Sequence, residues 1–159
     1  MDDEEDPSGR GETPAQRADR KFGDQLQELR VMQTGVQLLA GFLLTLPFQE
    51  EFEKLSEYQR DFYLCLVVLA GLTTALVLTP VSAHRIVSGR QVKDRLVEAT
   101  GRIAKIALGG VALLVVGITT FIFDVVVDLT WSLLVGGFMG AVLLTLLVAL
   151  PQLLIRRDA

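Results

Sequence analysis

The chain has 159 residues, half of them hydrophobic, and a formal net charge of −4. One histidine and one cysteine, Cys65, exclude an intrachain disulfide and the usual zinc ligand sets. No HExxH, phosphate-binding Gly-Lys loop, Gly-x-Ser-x-Gly elbow or basic–aromatic interleaving occurs, so neither an enzyme, nor a cofactor, nor a nucleic-acid partner is expected.

Residues 1–16 hold Asp2, Asp3, Glu4, Glu5, Asp6 and Glu12 among Gly, Pro and Ser. They have too little apolar surface to offset ordering, and a disordered acidic tail is expected. Acid first and apolar late is the reverse of a secretory signal, so the first apolar run is expected to be retained as a span. Over 17–30, Phe22, Leu26 and Leu29 recur at i, i+4 and i+7. That spacing predicts an amphipathic lead-in, either an interfacial helix or the first turns of span one.

Span one is expected over 31–48; about 18 residues rise ~27 Å, close to a bilayer core. Thr34, Gln37, Gly41 and Thr45 share one face of it, with Gln33 at the edge. In hydrocarbon such a face requires protein or water. The connection that follows is acidic, and Ser56 with Gln59 has capping-box spacing, placing the next helix start at Glu57. Span two is expected over 62–81, with Gly71, Thr74 and Ala75 offering close approach to another helix. Val92, Leu96, Ala99 and Ile103 then form a second amphipathic lead-in, continuous with span three over 106–123. Span four is expected over 131–155. It carries Gly136-x-x-x-Gly140 and a parallel ladder of Gly137, Ala141, Thr145 and Ala149, faces on which helix backbones come close. Pro47, Pro80 and Pro151 sit at the exits of spans one, two and four, where proline ends or bends a helix; Pro80 alone could instead kink a span two that continues to about Arg85.

Thirteen of the fifteen lysines and arginines fall in the tail, in the connection between spans two and three, or at the C-terminus. The other two connections hold only Lys54 and Arg60, against seven acids: Glu50, Glu51, Glu53, Glu57, Asp61, Asp124 and Asp128. Eight of eleven aromatics cluster near those acidic connections. Basic loops stay cytoplasmic and aromatics sit at headgroup level. The expectation is a multi-pass protein of the cell (plasma) membrane with both termini cytoplasmic. Its fold is an all-α, four-helix transmembrane bundle with amphipathic lead-ins on the cytoplasmic side.

Three groups of residues are candidates for function. Gln33, Thr34, Gln37 and Thr45 either line a polar pathway or hydrogen-bond to neighbouring helices; the packing reading carries more weight. Glu28, Arg30, His84 and Arg85 all lie at the inner boundary. They form either a pH-responsive cluster through His84 or an anchor for that end of the bundle. Asp124 and Asp128, one turn apart, either ligate a cation or stop the span and face water; the second reading again carries more weight. No metal site is expected. The residues expected to pack helices are Gly136, Gly137, Gly140, Ala141 and Thr145.

At ELRVMQTGVQLLAGFLLTLPF, followed by Leu55-Ser56-x-x-Gln59-Arg60 and Pro80-x-x-x-His84-Arg85, the chain resembles an uncharacterised family of small four-span membrane proteins common in actinobacteria. The resemblance covers most of residues 24–155. It implies the four-span fold and brings no catalytic or binding residues. Some members carry an automatic sodium:proton antiporter label, yet no span here has an ionisable group at its centre, as a coupled carrier usually does. The expected function is association in the membrane, as a homo-oligomer or as an accessory subunit bound to another membrane protein. The alternative is an oligomeric conduit for a cation, a proton or a small solute.

Overall fold

A computed structural model describes residues 13–87 and 93–157. The side chains at 14, 15, 18, 81, 83–87, 93–97 and 154–157 lie outside that description. The acidic tail, up to residue 12, lies outside it entirely.

Helix α1 (Pro14–Thr45) starts where the sequence supplies its own cap. Gln16 N–H donates to the Thr13 hydroxyl at 3.3 Å, and Thr13 N–H donates to Gln16 Oε1 at 2.9 Å. Pro14 at the first position has no amide to leave unpaired. The helix then runs unbroken through both the lead-in and the first apolar run. It ends because Pro47 offers no N–H to the Leu43 carbonyl four residues back. That carbonyl is covered in two other ways: Leu46 N–H donates in the last turn, and the buried Tyr63 hydroxyl donates from the next helix at 3.0 Å. Two short 3-10 turns, Leu46–Phe48 and Glu50–Lys54, complete the connection.

Helix α2 (Glu57–Val87) opens on the expected capping box, with Ser56 N–H donating to Gln59 Oε1 at 3.0 Å. It does not stop at Pro80. Proline at that position is buried inside the helix, which continues for two more turns. The packing that buries Pro80 offsets the lost backbone bond. Helix α3 (Lys93–Val126) is likewise one rod through lead-in and span. Helix α4 (Leu129–Leu144) is capped by Asp128, whose Oδ1 accepts from Trp131 N–H at 3.0 Å. At Thr145–Ala149 one π-helical turn follows, and α5 (Leu150–Arg157) carries on from it. The cause is Pro151, which cannot donate to the Leu147 carbonyl. Widening the turn lets Leu150 N–H reach back five residues to Thr145 instead.

Among the described residues, four stretches are long and apolar enough to cross a membrane: Asp19–Phe48, Glu57–Pro80, Glu98–Val126 and Leu129–Leu153. Three of these helices share one seam. In α1 the buried residues are Phe22, Leu29, Val36 and Leu43, one every seventh position. In α2 they are Tyr63, Leu66, Ala70, Thr73, Val77 and Pro80, and in α3 Thr100, Ala104, Ala107, Leu114, Ile118 and Phe121. Steps of three and four residues keep one stripe facing the partners, as in left-handed coiled coils. Near the acidic end the seam is filled by Tyr63, Leu66, Leu114 and Phe121. Near the basic end it narrows to Leu29, Val77, Ala104 and Ala107.

The fourth helix is different. Four helices are present, yet among the described residues α4 packs on α3 alone and touches neither α1 nor α2. The expected all-α, four-helix architecture is thus present among the described residues, built as a three-helix seam with the fourth helix packed on the outside of α3. Only Ser132 and Gly136 of α4 are buried.

Candidate functional site

The seven-residue repeat of α1 decides where its polar residues go. With Val36 and Leu43 in the seam, Thr34, Gly41 and Thr45 fall on the opposite side of the helix and Gln37 on a flank about 100° from Val36, and all four are exposed; Gln33, nearer the seam, is half-buried. The two hydroxyls satisfy themselves within the helix: Thr34 donates to the Arg30 carbonyl at 3.2 Å and Thr45 to the Phe42 carbonyl at 2.7 Å. Gln37 has no such outlet. Among the described residues its carboxamide meets no hydrogen-bond partner. Gly41, one turn further on, has open space where a side chain would stand. The outward face of α1 thus carries an exposed amide with no hydrogen-bond partner among the described residues, two self-bonded threonines and a gap.

The small residues of α4 divide between two faces. Gly136 is pressed against Thr120 of α3, so that any side chain there would collide with the threonine hydroxyl. Gly140 is close to Val116, whose methyl would lie 3.9 Å from an added Cβ. Ser132 fastens the same contact by donating to the Thr120 carbonyl at 2.7 Å. The Gly136–Gly140 motif therefore joins α4 to its own chain. Gly137, Ala141 and Thr145 point away from α3 and are exposed, with nothing near Gly137.

The acidic end carries a polar lock. Asp124 of α3 is buried, and its carboxylate accepts hydrogen bonds from the Tyr58 hydroxyl and, at 2.9 Å, from Gln59 Nε2. Gln59 thus ties the cap of α2 to α3 with a single amide. Asp128 is committed to capping α4. The two carboxylates are therefore engaged separately rather than converging on a cation. Among the described residues no group of three or more potential metal ligands comes together. At the basic end Glu28 and Arg30 are exposed. The side chains of His84 and Arg85 lie outside the described residues.

Several packing residues escape the sequence reading. Gly110 and Gly117 of α3, seven apart, make room for Thr73 and Leu66 of α2; an added Cβ would come within 2.6 Å and 2.5 Å of those side chains. Gly71 of α2, expected to receive a neighbour, is exposed with open space around it. The signal that locates these close-packed glycines is the heptad spacing of Gly110 and Gly117.

A family model described as a family of unknown function (DUF6328) matches the chain over residues 11–151. The chain belongs to that family. No curated protein and no solved structure matches it.

Proposed function

We propose that this member of DUF6328 is a non-enzymatic integral protein of the plasma membrane, with both termini cytoplasmic, that works by associating with other helices through the outward face of α1. It does so as a homo-oligomer or as an accessory subunit of a larger membrane complex. The observation that carries this is Gln37. It lies seven residues beyond Arg30, the last charge before the apolar run, so about 10 Å into a core ~30 Å thick. There it faces outward with no partner. An amide left unpaired in hydrocarbon costs several kcal/mol, and a second helix supplies both donor and acceptor. Gly41 removes the side chain that would hold that helix away. The basic and acidic ends of the bundle support the orientation.

The test is the association state of the purified full chain in mild detergent and in vesicles. Interhelical amide bonds contribute roughly 0.6–2 kcal/mol, so Gln37→Leu should weaken association about 3- to 30-fold. A wild-type chain that purifies as a monomer with no bound partner would sink the proposal. The other reading turns the same stripe onto a central path shared by several copies, carrying a cation, a proton or a small solute. It requires flux through liposomes that Gln37→Leu abolishes, and protein that moves neither Na⁺, K⁺ nor H⁺ removes it.

A further inference from the structure

Helices α3 and α4 are in close contact at one end only. Ser132 and Gly136 hold them together near the acidic end. Beyond Gly140 the pair opens, and among the described residues neither the π-helical turn nor α5 packs on α3. The opening is a cavity of about 710 Å³. Gly109 and Ala112 leave its α3 wall low, and Leu144, Leu147 and Pro151 form the other wall. The lining is almost wholly apolar. Its two strongly polar members, Lys105 and Gln152, both stand at the basic end.

Depth and charge together define an occupant. From Lys105 to Val116 the groove follows eleven residues of α3, ~16 Å at 1.5 Å per residue, which is half of a ~30 Å bilayer core. It is thus one leaflet deep, closed at the midplane by the Gly140–Val116 contact and open at headgroup level. Lys105 is exposed and, among the described residues, has no acidic partner; Arg102, one turn away, is already paired with Glu98 at 2.5 Å. A long apolar slot with a free cation at its mouth complements a molecule with an apolar chain and an anionic head.

We propose that this groove binds one anionic phospholipid from the leaflet at the basic end, with an acyl chain between α3 and α4 and its phosphate group on Lys105 and Gln152. Moving an acyl chain from bilayer to groove changes little, because lipid tails are as apolar as the lining. Selection therefore falls on the headgroup. One lysine near a membrane surface is worth about 1 kcal/mol toward anionic lipid, or roughly five-fold in occupancy. The inference rests on the membrane insertion proposed above and is independent of the α1 face.

The experiment is native mass spectrometry of the full chain released from bilayers of equal phosphatidylglycerol and phosphatidylcholine, with retained lipids counted on the monomer. Wild-type protein should keep one phospholipid, phosphatidylglycerol about five-fold over phosphatidylcholine. Lys105→Gln should bring the two lipids near parity. Gly109→Phe, which fills open space in the slot, should remove both while helicity is retained. Leu144→Trp narrows the slot from the other wall and serves if Gly109→Phe does not fold. Equal retention of the two lipids by wild type overturns the proposal, as does retention unchanged by filling the slot. If Gly109→Phe instead breaks a dimer that held no lipid, the groove belongs to a second copy and the proposal fails. Loss of oligomers in Gln37→Leu with lipid retention intact tests the α1 face alone.

Discussion

Gly136 and Gly137 are neighbours in sequence and opposites in environment, which makes them a self-controlled experiment. Replacing either by alanine gives the helix the same gain in intrinsic propensity, about 1 kcal/mol. The difference between the two variants therefore isolates packing. At Gly137 the new methyl meets nothing within 4 Å. At Gly136 it collides with the Thr120 hydroxyl, which is itself bonded to the Val116 carbonyl at 2.7 Å. Relief requires Thr120 to rotate and abandon that bond, or α4 to move outward and abandon the Ser132–Thr120 bond. Overpacking of this kind costs about 1–3 kcal/mol, a factor of roughly 5 to 150 in the unfolding equilibrium. Reversible unfolding in mixed detergent micelles, at concentrations where the chain is monomeric, measures it. Gly136→Ala should be the less stable variant by that amount. Equal stabilities, or Gly137→Ala as the weaker protein, would refute the assignment of the two faces.

Three further outcomes are expected. Tyr58→Phe should lower stability by about 1.5 kcal/mol, the low end for a bond to a charged group because Tyr58 is half exposed. A double-mutant cycle with Asp124→Asn should show coupling of at least 0.5 kcal/mol, as residues in direct contact do; additivity would dissolve the lock. Tyr63→Phe should cost about 0.5–1.5 kcal/mol by withdrawing one of the two donors to the Leu43 carbonyl. Most of that loss should disappear in a Pro47→Ala background, where a backbone amide can take its place, and unfolding curves of the four proteins decide it. Pro151→Ala should let the π-helical turn relax to an α-helix. Accessibility along a cysteine scan of 150–153 would then shift in phase by about one residue, ~100°; an unshifted pattern would mean that proline is not the cause of the wide turn.

The helices themselves are legible because caps, charges and aromatics mark their ends. Thr13 with Gln16, Ser56 with Gln59, and Asp128 each stand at a helix start. What lies along a helix is far harder to read. In a water-soluble protein the seam of α1 would be visible as apolar positions against polar ones. Here Leu38 and Leu44 face outward and Val36 and Leu43 inward, all equally apolar, so contrast fails as a guide. The polar stripe of α1 is visible in the sequence, but its direction depends on the position of the other helices. The same ambiguity hides which α4 glycine faces α3, and why Thr73 is buried while Thr74 is only partly so. Pro80 misleads for a related reason. Its local effect is to break a helix, and that effect is overruled by neighbours that a single sequence does not display.

The buried positions of α1 (22, 29, 36 and 43) also set a rule for which changes of length the protein tolerates. Inserting one residue between Phe22 and Leu29 turns everything before it by about 100°, taking Phe22 out of the seam and leaving Gly23 or the inserted residue in its place. Inserting seven returns the stripe to within about 20°, a mismatch that a left-handed supercoil absorbs. The spacing between the basic segment and the first apolar run is thus free to evolve in steps of seven and closed to the steps between, even where no residue identity is at stake.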